Sequence, residues 1–280
     1  MKIALTGATG FVGRHVLAAL SPRGAHVTAM VRPGRPGPSL PASVKVVSMD
    51  LDDAGPDTFH RLGSPDILIH LAWGGLPHYA ASTHLDTELP RQRRFLEACV
   101  QGGLRRLLVT GTCLEYGLRE GELVELMPAE PTTAYAMAKH RLHHELEALR
   151  AERGLELAWV RLFYLHGPGQ AASSLYTQLN AAIDRGDACF PMSAGDQLRD
   201  FMPVERAAAV IAALACRPAD AGIVNLCSGK PVRVIDIARR WVAERRADIT
   251  LEPGHFSYPS YEPFAFWGNR SKLDHLLEAT

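Results

Sequence analysis

The 280-residue sequence lacks an excess of charge of either sign, since 30 Lys and Arg are balanced by 30 Asp and Glu. With no net charge and no long basic run it carries no electrostatic footprint for nucleic acid or for an anionic membrane surface. Any anion it binds must therefore be met by local groups. Long apolar runs are also missing: the stretch Ala207 to Cys216 is well short of the ~20 residues that cross a bilayer. Cysteine is sparse. The five (Cys99, Cys113, Cys189, Cys216 and Cys227) are odd in number, with no Cys-x-x-Cys pair and no metal-finger spacing, which predicts free thiols in a reducing cytoplasm and no metal. The start, Met1 to Gly7, passes straight into a strand and a turn, without the cationic and apolar regions of a secretory signal. What is plentiful is core material, at 47% hydrophobic residues, the composition of an ordinary globular enzyme.

Short runs of aliphatic and β-branched residues at Lys2–Thr6, His26–Val31, Val44–Met49, Ile67–Leu71, Arg106–Thr110 and Leu157–Leu162 alternate with helical patterns. Strands so uniformly apolar predict an α/β fold, a Rossmann-type doubly wound parallel sheet covered by helices on both faces. The Pro- and Gly-rich segment 32–38 reads as a loop after the second strand. Beyond about Leu165 the alternation loosens, then Gly222–Cys227 reads as one more strand. The expected division is a dinucleotide-binding domain of residues 1–165 plus about 202–226, and a smaller C-terminal lobe of about 166–201 plus 227–280.

Between the first strand and the helix Phe11–Leu20 lies Thr6-Gly7-Ala8-Thr9-Gly10-Phe11-Val12-Gly13. Two glycines permit a tight turn and close approach of backbone to a diphosphate, a third lets helix pack on strand, and the helix start offers free N–H groups and the positive end of its dipole. The second strand ends at Met30-Val31-Arg32, where NAD-preferring folds place an acid. A guanidinium there, with Arg35 beside it, suits the 2′-phosphate of NADP(H). Asp50-Leu51 after the third strand is placed either to hold the adenine amino group or to cap a helix.

Tyr135 and Lys139, four apart at the start of a helical stretch running to Arg150, share a face. A cation there lowers a phenol pKa toward neutrality, as a proton donor to a carbonyl requires. Thr112, following the fifth strand, is placed to bind the same carbonyl oxygen.

These motifs, with His70-Leu71-Ala72, Tyr116-Gly117, Arg161-Leu162-Phe163, Gly167-Pro168, Arg199-Asp200-Phe201 and Asn225 to Gly229, occur in an order that resembles the extended short-chain dehydrogenase/reductase family over essentially the whole chain. That family holds the nucleotide-sugar epimerases, dehydratases and reductases. The resemblance implies Tyr135 as acid/base, Lys139 on the nicotinamide ribose and Thr112 on the substrate carbonyl. It further implies cofactor contacts from Gly7, Thr9, Gly10, Phe11, Val12, Gly13, Arg32, Arg35, Asp50, Leu51, Leu71, Ala72, Trp73 and Thr110, and from Tyr135 and Lys139 themselves. Substrate contacts fall on Thr112, Cys113, Tyr164, Phe190, Trp73 and Arg199, the last on the diphosphate.

Dehydratases of the family carry an Asp-Glu pair directly after the catalytic Thr; Cys113-Leu114 stands there instead, so elimination of water has no obvious general acid. The stretches Leu71 to Tyr79 and Tyr261 to Gly268 are similar to reductases acting on C4 of nucleotide-linked 4-keto-6-deoxyhexoses, with a dTDP sugar as expected substrate and a homodimer as expected assembly. The alternatives are a 4-epimerase with tightly bound NAD and a non-catalytic dinucleotide sensor. The sequence departs from the family pattern at Glu88, where an Asn is usual, and at Glu262-Pro263, where a second phosphate-binding Arg is usual. His140 and His144 share a helix face without a third ligand, and read as packing or surface groups.

Overall fold

The computed structural model describes residues 1–34, 39–217 and 220–278. The chain runs β1 (Lys2–Thr6), α1 (Phe11–Leu20), β2 (His26–Val31), β3 (Lys45–Ser48), α2 (Thr58–Arg61), β4 (Ile67–His70), α3 (Leu89–Gln101), β5 (Arg106–Thr112), β6 (Gly121–Leu123), α4 (Ala134–Arg153) and β7 (Glu156–Leu162). It continues with β8 (Tyr164–His166), α5 (Leu175–Arg185), β9 (Cys189–Ser193), β10 (Leu198–Pro203), α6 (Val204–Ala215), β11 (Gly222–Leu226), β12 (Pro231–Arg233), α7 (Val234–Arg245), β13 (Thr250–Phe256), β14 (Phe266–Gly268) and α8 (Ser271–Glu278).

Seven strands form one all-parallel sheet in the order β11-β7-β5-β4-β1-β2-β3. The reversal of order on either side of β1 and β4 is the switch point at which such sheets open a ligand crevice beyond the carboxyl ends of their strands. The doubly wound architecture expected from the apolar strands is the one observed. One face packs α1 and α6 around Ile3, Leu5, Val16, Leu20 and Ile211, and the other packs α3 and α4 around Leu68, Phe95, Leu107, Leu142 and Trp159. Val44–Met49 departs from the expectation of strands buried on both faces. Its strand, β3, is the sheet edge and is largely exposed, because a terminal strand has a neighbour on one side only.

A third core, with Leu179, Phe190, Met192, Ile237 and Trp241, joins α5, α7 and β9 in the C-terminal part, while α6 and β11 return to the large sheet. All five cysteines are free. No helix among the described residues is long and apolar enough to cross a membrane.

Candidate active site

At the carboxyl end of β1 the chain turns through Gly7, whose φ of +70° lies in the left-handed region. A Cβ on Gly13 would sit 2.0 Å from the Gly7 carbonyl oxygen, so only glycine lets α1 start this close to the turn. No side chain caps α1: Gly10 occupies the N-cap in extended conformation and leaves the first helical N–H groups open. Gly7 also abuts Leu71 and Ala72. A cradle of bare N–H groups at a helix start, walled by the end of β4, fits a dinucleotide diphosphate.

A chain of polar groups, buried from Thr6 to Arg91 and reaching the surface at Arg32, supports this cradle. The Thr6 hydroxyl receives the amides of Leu71 (3.2 Å) and Ala72 (3.3 Å) and lies 3.0 Å from His70 Nδ1. His70 Nε2 meets Gln92 Oε1 at 2.5 Å, and Gln92 donates to Glu88. Glu88 also accepts the Gly74 amide (3.0 Å) and pairs with Arg91, which pairs in turn with Asp50. Asp50 ends the chain on Arg32 at 3.0 Å. Glu88 is placed by a π-helical turn, His84–Glu88, ahead of α3; the widened turn is a local irregularity of the kind found at functional sites.

Asp50 caps the short turn Leu51–Asp53 and pairs with Arg32. Arg35 lies outside the described residues.

Burial, opposed by the Gln92 hydrogen bond, pushes the pKa of His70 down to about 3. An imidazole depressed below its unfolded value binds fewer protons folded than unfolded between about pH 3 and 6.5. Its contribution is therefore complete above 6.5 and is lost as pH falls, at up to about 1.4 kcal/mol per pH unit. His70→Gln should flatten urea-derived unfolding free energies across that acid window; an unchanged acid slope would contradict this account.

The reactive groups gather where β5 and α4 meet. Thr133 caps α4 through the Ala136 amide (3.2 Å), so Tyr135 enters in the first turn with its own amide on the Tyr79 carbonyl (3.0 Å). The Tyr135 ring and the Thr112 side chain line the same cavity. Lys139, on the same helix face as the spacing requires, donates from Nζ to the Thr110 carbonyl at 2.8 Å and lies 4.0 Å from the Trp73 ring centroid. The two ammonium hydrogens left over suit the hydroxyls of a ribose.

The electrostatic expectation needs correction. Burial, with Tyr79, Glu115 and Cys113 adding to it, drives the Tyr135 phenol well above its usual pKa against the opposing pull of Thr112. Burial also lowers Lys139 to about 7, against the pull of Glu115 and Glu88. Lys139 stands 6.0 Å from the Tyr135 ring centroid and spends its charge on Thr110 and Trp73, so in the unliganded protein the phenol stays protonated.

A cavity of about 230 Å³ opens in front of this pair. Phe11 and Val12 from the glycine-loop helix line it together with Thr112, Cys113, Tyr135, Tyr164 and Glu262. Three expected substrate residues lie elsewhere. Phe190 is in the C-terminal core; Trp73 lies behind Lys139, its indole N–H donating to His84 Nδ1 at 3.1 Å. Arg199 is 1% exposed and locked to Glu262 at 3.0 Å and to the Leu198 and Phe264 carbonyls.

Sequence reasoning missed Glu115. Wholly buried, it accepts the Thr112 amide (2.9 Å), the Trp159 indole (3.1 Å) and Arg161 Nε (3.0 Å), and so fixes the backbone of the reactive threonine. Arg161 stacks on Tyr116, whose hydroxyl donates to Asn225 at 2.8 Å. Asp200 similarly gathers the amides of Ser228, Gly229 and Gly268. Several motif residues are thus the frame of the site, not its contacts.

The model of the NAD dependent epimerase/dehydratase family matches residues 3–227. The chain belongs to that family. Among curated members, the dTDP-6-deoxy-L-talose 4-dehydrogenase (NAD(+)) of Aggregatibacter actinomycetemcomitans is 27% identical over 96% of this chain and 99% of its own. The dTDP-L-rhamnose 4-epimerase of Burkholderia thailandensis is 26% identical over 85% and 79%. Among solved structures, MoeE5 in complex with UDP-glucuronic acid and NAD superposes with a TM-score of 0.84 at 24% identity, covering 99% of this chain and 93% of that one. That likeness is one of overall fold. NAD is the dinucleotide in both the talose relative's name and the MoeE5 complex.

Proposed function

We propose that the chain is an enzyme of nucleotide-sugar metabolism that reduces the C4 ketone of a nucleotide-linked 4-keto-6-deoxyhexose, with dTDP-4-dehydro-6-deoxyglucose as the first substrate to test. The observation that carries this reading is that Thr112 and Tyr135 line one cavity together, with the phenol protonated and Lys139 Nζ 6.0 Å from the Tyr135 ring centroid. Protonated is the state a proton donor needs. The talose relative, named for oxidoreduction at C4 of a dTDP-linked 6-deoxyhexose, supports the class of reaction.

When bound, the reduced dinucleotide supplies a hydride. The chain's own part is to hold the substrate C4 oxygen at Thr112, deliver a proton to it from Tyr135 Oη, and orient the ribose at Lys139. Glu115 keeps Thr112 in place. Residues 166–201 and 227–280 form the substrate lobe in this reading. The setting is the cytoplasm, and the assembly a homodimer through the outer face of α4, which sedimentation would test.

For the cofactor we propose NADP(H), on Arg32 at the end of β2. Asp50 competes for the guanidinium, so the preference is modest. Arg32→Ala should raise KM for NADPH about tenfold, the worth of one charge-assisted hydrogen bond, and leave KM for NADH alone. Equal changes for both dinucleotides would refute the assignment. The reaction itself is tested by NADPH oxidation on mixing with 4-keto sugars linked to dTDP, UDP, GDP and CDP; no turnover with any of them would sink it.

A further inference from the structure

The cavity beside Tyr135 is unusual for a site that serves a diphosphate-linked substrate. Among the described residues lining it, Glu262 is the one charged side chain, and no Arg or Lys is present. The guanidinium that the family resemblance places on the diphosphate, Arg199, is committed elsewhere. Its Nη1 serves the Leu198 and Phe264 carbonyls at 2.9 Å each, its Nη2 serves Glu262 Oε2 at 3.0 Å, and its plane lies over Phe266, 4.8 Å from the ring centroid.

Reaching a phosphate would mean breaking a buried ion pair and two carbonyl bonds. What Arg199 accomplishes where it stands is to fix Glu262 against the cavity. A carboxylate held through one oxygen still accepts further hydrogen bonds.

Beside Glu262 is the Tyr164 hydroxyl, shielded from solvent, which faces the carboxylate without reaching hydrogen-bonding geometry to it or to any other described group. An acceptor and an unspent donor side by side form the complement of an alcohol, which donates to one and accepts from the other. A phosphate oxygen there would face a carboxylate whose one paired cation, Arg199, is already shared with two backbone carbonyls.

We propose that Glu262 and Tyr164 form a subsite for a hydroxyl of the substrate's sugar ring, with Arg199 as the residue that positions Glu262, and that the diphosphate stays outside this cavity. This rests on the reading of the substrate as a nucleotide sugar and names the part of it that enters.

The test is calorimetric binding to the NADP⁺-loaded chain, which needs no turnover and so is separate from the ketoreductase assay. dTDP-glucose, UDP-glucose and GDP-glucose are each compared with the matching nucleoside diphosphate. Tyr164→Phe removes an unpartnered hydroxyl and puts no fold-bearing bond at risk. It should weaken the bound nucleotide sugar about threefold to tenfold and leave the nucleoside diphosphate unchanged. Glu262→Gln should weaken the sugar about tenfold, again sparing the diphosphate. Equal losses for sugar and diphosphate would put the Arg199–Glu262 pair on the phosphates and overturn the proposal. So would undiminished sugar binding in both variants, or no binding of any nucleotide sugar by the unmutated chain. Sugar binding with the expected losses but without NADPH oxidation would uphold the subsite and reject the ketoreductase.

Discussion

Tyr135→Phe should lower kcat about a hundredfold to ten-thousandfold, the range a positioned proton donor contributes, while dinucleotide affinity falls by at most about tenfold, the worth of one hydrogen bond. The separation follows from geometry. Tyr135 and Thr112 line the cavity together, whereas the N–H cradle of α1 lies at the end of β1 and Lys139 Nζ is held on the Thr110 carbonyl. Rapid-mixing kinetics of NADPH oxidation, with dinucleotide binding measured by fluorescence, reads both quantities. A variant that keeps its rate would remove Tyr135 from the chemistry. One that loses dinucleotide binding by more than about tenfold as well would mean the substitution had disturbed the site beyond the hydroxyl.

The second large effect falls on stability. Glu115→Ala leaves the guanidinium of Arg161, itself 1% exposed, without its counter-charge, and strips acceptors from the Trp159 indole and the Thr112 amide. Removing one partner of a buried ion pair costs about 3–5 kcal/mol, a large share of what holds a domain folded. Denaturant unfolding should show a midpoint shift of that size, and Glu115→Gln, which still accepts hydrogen bonds, a smaller one. A loss below about 1 kcal/mol for the alanine variant would mean that Arg161 finds other partners. Arg161→Met together with Glu115→Leu, which removes both charges, should be better tolerated than Glu115→Ala alone.

The two predictions draw on parts of the molecule that were unequally legible in the sequence. The sheet, α1 and the shared face of Tyr135 and Lys139 follow from local pattern: periods of two and 3.6, a glycine turn, and a spacing of four. β3 alone misled, because an edge strand and a buried strand both read as a short aliphatic run. The cavity frame left no such trace. Glu115 meets Arg161 across 46 positions and Tyr116 meets Asn225 across 109, separations at which no periodicity connects the partners. The same holds for Arg199 and Glu262, 63 apart.

Side-chain direction was a further limit. Spacing puts Lys139 on the Tyr135 face, but the aromatic ring of Trp73 and the Thr110 carbonyl decide where Nζ goes. Burial then reverses the pKa shift that proximity alone implies, since desolvation acts on the phenol and the ammonium together. The widened turn at His84–Glu88 is likewise a tertiary product. It brings His84 to Trp73 and Glu88 to Gly74, contacts that no local propensity demands.

The central claim is net reduction at C4, and isotope transfer tests it most directly. NADPH carrying deuterium at both positions of the nicotinamide C4 is incubated with dTDP-4-dehydro-6-deoxyglucose, and the product is read by NMR. The account predicts one deuterium at sugar C4 for each NADPH consumed, absent with Tyr135→Phe. An unlabelled product formed without loss of NADPH, or two hexoses interconverted on a retained NAD, would contradict it.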